Sequence, residues 1–201
     1  MTESRNVHSL DLANAALILV DVQNDFCPGG SLAVNGGDEV IAPLNRMIDL
    51  FESRGRPIIA TRDWHPRLTT HFQGNGGLWP QHCIFDQLGA RFHNDLKIPP
   101  STIIVSKGTG ATEDAYSGFQ ALDANGHDLA RLLADLRVRH VYVGGLATDY
   151  CVRATVLDAR REGLDATVIE NAIRGVELQP GDSARAMIEM REAGAQSITI
   201  V

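Results

Sequence analysis

AALILV, residues 15–20, followed at once by Asp21, is the stretch on which the fold turns. A short, unbroken apolar run ended by a charge has the length of a strand buried on both faces, whereas a helix needs about ten residues or more. Comparable runs recur at 57–61, 102–105, 140–143, 166–169 and 197–201, making six strands. Helical patterns lie between them. The clearest is 41–53, where Ile41, Leu44, Met47, Ile48 and Phe51 share a face; others span 128–136, 151–162 and 183–192. Gly163 and Pro180-Gly181 stand at element boundaries as stop and turn signals. Strand alternating with helix predicts an α/β fold, a three-layer α/β/α sandwich around a central six-stranded, mainly parallel sheet with Rossmann-like layering.

A chain of 201 residues that is 44% hydrophobic suits one such domain, expected to cover residues 1–201. No apolar run approaches the roughly 18 residues of a membrane span, and residues 1–14 lack the features of a signal peptide, so a soluble, cytoplasmic protein is expected. The formal net charge of -7 disfavours a nucleic-acid partner, because such binding draws on clustered Lys and Arg. Whether the chain forms a homo-oligomer is left open. Three cysteines, Cys27, Cys83 and Cys151, contain no CxxC pair, which argues against a disulfide framework or a zinc ribbon.

In open α/β sheets, ligands collect at the carboxyl ends of the strands. The unusual residues fall there. Asp21 follows the first strand, Asp63 and Lys107 come two residues after the second and third, and Cys151 opens the helix after the fourth. Singly, each has an ordinary explanation: a cap, a solvated lysine, a small buried thiol. Together they supply a nucleophile, a base and a cation, which is the set an activated thiol needs. A helix N-terminus would lower the Cys151 pKa and offer N–H groups to an oxyanion, and Gly144-Gly145 allows a tight turn before it.

The interval 63–101 has little periodicity over roughly forty residues, and compact domains seldom keep such a segment without a use for it. It holds four of the seven histidines: His65, His71, His82 and His93. Asp63 with His65, His71 and His82 offers one carboxylate and three imidazoles, a mixed set that Zn, Fe or Mn accepts. The spacing fits no compact helical motif, and surface histidines without a role remain the alternative. His93 is a spare ligand, and Cys83 beside His82 is either a ligand or a packed thiol.

Seven strings in order then carry a resemblance: DVQNDFCPGGSLAV at 21–34, TRDWHP at 61–66, His71-Phe72, WPQHC at 79–83, Lys107-Gly108, AYSGF at 115–119 and GLATDYCV at 145–152. Together they closely resemble the nicotinamidase/pyrazinamidase branch of the isochorismatase-like cysteine hydrolases. The resemblance implies hydrolysis of nicotinamide to nicotinate and ammonia in NAD salvage, with pyrazinamide as an additional substrate. It implies a catalytic triad of Asp21, Lys107 and Cys151, and one divalent metal ion (Zn, Fe or Mn) on Asp63, His65, His71 and His82. Phe26 and Trp79 would sandwich the ring, with Tyr116 in the pocket wall. A cis peptide between Leu146 and Ala147 would turn the N–H groups of Ala147 and Cys151 toward the oxyanion. The segment 108–115 varies among relatives, so its individual residues are not mapped; Tyr150 stands at a variable position and would alter how the pocket mouth closes.

Rival readings are another amidohydrolase or an enol-ether hydrolase of the same superfamily, a receiver-like signalling domain phosphorylated at Asp63, and a redox sensor built on Cys151. The receiver leaves Cys151 and the histidines without a purpose.

Overall fold

The computed structural model describes residues 3–112 and 114–201. Its sheet strands are β1 (Glu3–Arg5), β2 (Ala15–Val20), β3 (Ile58–Asp63), β4 (Ile103–Lys107), β5 (His140–Leu146), β6 (Asp165–Arg174) and β7 (Gln196–Ile200). They run in the order β1-β7-β6-β5-β2-β3-β4, and every pairing is parallel. Among the described residues the expected six strands are thus seven. The extra one, β1, pairs along the edge with β7 and reads Glu-Ser-Arg, so no apolar run announces it.

Helix α1 (Ile41–Ser53) covers one face of the sheet; α2 (Leu129–Asp135), α3 (Arg153–Arg161) and α4 (Asp182–Glu192) cover the other. Central β2 shows why its sequence is unbroken. Leu17 and Leu19 pack with Leu44, Met47, Ile48 and Phe51 of α1, whereas Ile18 and Val20 join the core formed with Leu129, Leu133 and Val156. Each such buried side chain contributes about 1.5 to 3 kcal/mol, so both layers are held through one strand. Among the described residues, no helix is long and apolar enough to cross a membrane.

The connection from β3 to β4 departs from the helical crossover that parallel strands usually use. It contains only the 3₁₀ turn Gln73–Asn75 and is held by isolated bridges, His65 with Ile84, Phe72 with Trp79, and Gln23 with Phe92. The buried Gln23 amide clamps it further: Nε2 donates to the carbonyls of Asp63 (2.8 Å) and Ala90 (2.9 Å), and Oε1 accepts from Asp63 N–H (2.8 Å). Local order comes from these tertiary bonds, which a periodicity reading does not detect.

Candidate active site

Sequential strands diverge between β2 and β5, because β3 and β4 add on one side of β2 and β6 and β7 extend beyond β5. A crevice opens at the carboxyl ends of strands at such a reversal. Asp21 sits there in a left-handed backbone conformation (φ 49°), directly after β2. Asp63 and Lys107 are the last residues of β3 and β4, and they are register partners, rather than lying two residues beyond the strands. Gly145 allows β5 to approach closely, since a Cβ there would lie 2.0 Å from the Val20 carbonyl oxygen.

Cys151 does not open α3. It is the fourth residue of a single π-helical turn, Thr148–Val152, that precedes α3. A π turn was invisible in the sequence because it shares its residue preferences with an ordinary helix start. The Leu146–Ala147 peptide before it is cis, and Ala147 lines the same slot as Cys151.

Four of the reactive side chains meet. The Lys107 ammonium lies 2.9 Å from Asp21 Oδ2 and 3.4 Å from Cys151 Sγ, pairs with Asp63 Oδ1, and donates to the Ala115 carbonyl at 3.1 Å. Oxygens of Asp21 and Asp63 and the Cys151 sulfur all lie within 4.8 Å of one another. Thr61, which the sequence reading passed over, donates to Asp21 Oδ1 at 2.6 Å. Its place on the strand opposite Asp21 is a matter of register and left no sequence signal.

Burial decides the electrostatics. It raises the Asp21 carboxyl above the ordinary carboxylate range, with Lys107 opposing and Asp63 reinforcing. Burial also raises the Cys151 thiol well above the usual range, against the pull of Lys107 and with help from Asp21 and Asp63. The lowered Cys151 pKa expected from a helix N-terminus is not what the site gives: burial, with the two facing carboxylates, outweighs Lys107 and holds the thiol's pKa up. Lys107 stays charged, since burial disfavours its cation but Asp21 and Asp63 more than compensate. Asp63 resists the same burial and remains well below the carboxylate range, held chiefly by the Lys107 ammonium.

Beside this group, one ring nitrogen from each of His65, His71 and His82 falls within a 4.8 Å cluster. Asp63 Oδ2 faces it, 3.6 Å from His65 Nε2 and 3.8 Å from His82 Nε2. His65 Nδ1 contacts the Gly108 carbonyl at 2.9 Å and His82 Nδ1 the Pro80 carbonyl at 2.8 Å, while His71 Nδ1 meets the Asp114 carboxylate. A carbonyl accepts only, so His65 and His82 carry their protons on Nδ1 and turn bare Nε2 atoms inward. His65 Nε2 is buried without a hydrogen-bond partner. A buried, unpaired lone pair surrounded by two more imidazoles and a carboxylate fits a divalent cation.

His93 and Cys83 lie outside that cluster. His93 faces Asp95, and Cys83 has a buried, packed thiol, while its backbone N–H donates to Asp25 Oδ2 at 2.7 Å. Phe26, Trp79, Tyr116 and Tyr150 line one narrow slot together with His71, His82 and Cys151. Trp79 Nε1 donates to Tyr116 Oη at 3.0 Å, and Tyr150 meets the Trp79 ring edge-on at 5.0 Å. Tyr150, expected to affect the closing of the pocket mouth, belongs to the wall of the slot.

The isochorismatase domain family matches residues 15–200. The nicotinamidase of Escherichia coli (strain K12) is 40% identical over 203 residues, covering 92% of this chain and 94% of that protein. The crystal structure of pyrazinamidase of Pyrococcus horikoshii in complex with zinc superposes with a TM-score of 0.86 at 42% identity, over 93% of this chain and 99% of that one. That of PnC1 from L. infantum in complex with nicotinate gives 0.82 at 32% identity, over 96% and 98% of the two chains. Matched by one family across residues 15–200 and carrying its fold, the chain belongs to the isochorismatase family.

Proposed function

We propose that this chain hydrolyses nicotinamide to nicotinate and ammonia through a thioester on Cys151, a step of NAD salvage, and that it accepts pyrazinamide as well. One observation carries the reading: the Cys151 thiol, 3.4 Å from the Lys107 ammonium, shares a slot with His71 and His82 of the histidine cluster and with the side chains of Phe26, Trp79, Tyr116 and Tyr150. The likeness to a nicotinamidase and to a protein crystallised with nicotinate supports the same substrate.

Asp21 takes the thiol proton as the sulfur attacks the carboxamide carbon. A carboxyl lifted toward working pH by burial is a stronger base for that task than an exposed one. Lys107 orients Asp21 and balances the negative charge that moves from carboxylate to sulfur to carbonyl oxygen. The N–H groups of Ala147 and Cys151 receive the oxyanion, preorganised donors that need no rearrangement as charge develops. Asp21 then returns its proton to the amide nitrogen, the C–N bond breaks, and ammonia leaves. Water gives a proton to Asp21 and its oxygen to the thioester carbon; the C–S bond breaks, and the proton passes back to sulfur as nicotinate departs.

Asp63, His65, His71 and His82 are assigned to a divalent metal ion, and zinc is favoured over iron or manganese by the zinc complex of the Pyrococcus relative. When bound, it would supply a Lewis-acid handle for the pyridine nitrogen. Phe26 and Trp79 hold the ring plane, so the carboxamide arrives aligned with the sulfur. The reading places the enzyme in the cytoplasm with small-molecule partners and neither nucleic acid nor membrane. Ammonia release from nicotinamide is the test: it should proceed in the loaded protein, collapse on chelation and return with zinc. Folded, zinc-loaded protein that releases no ammonia would sink the assignment.

A further inference from the structure

The three clustered imidazoles are not held alike. His65 and His82 lean on backbone carbonyls, of Gly108 and Pro80, whereas His71 leans on a side-chain carboxylate, that of Asp114. Asp114 is 64% exposed while the His71 ring is buried. It lies on the loop between β4 and the 3₁₀ turn Gly118–Gln120, and residues of that loop contact the β3–β4 excursion and Lys107. The Ala111 carbonyl accepts from Thr70 N–H at 2.8 Å, the Ala115 carbonyl from Lys107, and the Tyr116 hydroxyl from Trp79.

We propose that Asp114 is a positioning residue that sets the metal affinity of this site by holding His71 with its proton on Nδ1 and its Nε2 lone pair turned inward. The inference rests on the metal reading above. Its physical basis is twofold. A carboxylate accepting from Nδ1–H selects one tautomer, locks the ring's rotation and raises the basicity of the opposite nitrogen. It also completes the charge balance. Asp63 divides its carboxylate between Lys107 and the histidines, so a doubly charged ion is underneutralised by Asp63 and three neutral imidazoles. Asp114 supplies the missing negative charge from outside the ligand set. Because it is exposed, its removal leaves the fold intact, and the charge it contributes is sensitive to salt.

Zinc affinity, measured by competition with a chromophoric chelator on the full chain, tests this without reference to turnover. Asp114→Ala should weaken zinc binding by roughly 10-fold to 100-fold, the range known for outer carboxylate partners of metal-bound histidine. Asp114→Asn, which still accepts a hydrogen bond but lacks charge, should fall between, and Asp114→Glu should recover most of the loss. Cobalt(II) spectra of the loaded variants should shift for Asp114→Ala and stay native-like for Asp114→Glu. Metal-free melting temperatures of all three should match the parent, separating positioning from folding. His71→Ala serves as reference. If it loses zinc while Asp114→Ala binds within twofold of the parent, Asp114 has no such role, though the site stands. If His71→Ala also binds normally, the metal reading itself fails.

Discussion

At Cys151 and its neighbours, individual atoms decide the chemistry. Burial and the facing carboxylates hold the Cys151 thiol's pKa up, so the sulfur is a weak nucleophile until a base takes its proton. Cys151→Ala should lower ammonia release by roughly 10,000-fold or more while zinc content, measured by elemental analysis, stays at the parent value. Ammonia release within tenfold of the parent would remove Cys151 from the nucleophile's role. Gly108 is a second atom-level constraint. Its φ is +64°, and a Cβ there would stand 2.3 Å from His65 Cε1. Gly108→Ala should therefore destabilise the protein by about 1 to 3 kcal/mol and displace the His65 ring. Urea unfolding and zinc titration together check this: an unchanged midpoint with unchanged zinc affinity would show that the loop yields freely.

Among the elements, the ends of three strands are drawn together by one ammonium. Lys107 at the end of β4 pairs with Asp63 at the end of β3 and with Asp21 just past β2, all of them buried. Removing one partner of a buried ion pair costs about 3 to 5 kcal/mol, because the remaining charges are left without compensation. Lys107→Met should reduce stability by that amount and abolish turnover, as read from urea midpoints and from ammonia release. A stable, inactive variant would mean that one of the two carboxylates simply takes up a proton. The excursion between β3 and β4 needs such anchors, since the helix that would ordinarily cross between parallel strands is missing and Gln23 and three isolated bridges stand in its place.

For the molecule as a whole, stability should depend on pH through half-buried His140, at the start of β5. Burial holds its imidazole below the ordinary value near 6.5, with Asp165 and Asp11 opposing. The unfolded chain takes up a proton as pH falls through about 6.5, before the native chain does, so native stability is full above that value and declines below it. The melting temperature should drop between pH 7.5 and 5.5, and by less in His140→Gln; parallel slopes in the two proteins would exclude His140 as a contributor. Much of the architecture was legible beforehand. Apolar runs and helical periodicity located six strands and four helices because burial on both faces of a parallel sheet writes a continuous signal, and the carboxyl-end rule put Asp21, Asp63, Lys107 and Cys151 together. Polar β1 escaped because its three residues are held by edge pairing alone. The protonation of Cys151, the register that brings Thr61 to Asp21, the clamp by Gln23 and the contact of Asp114 with His71 were decided only by tertiary structure. The physical reason is common to all four: desolvation and contacts between residues some forty or more positions apart depend on where the chain returns in space, which residue types and local spacing do not encode.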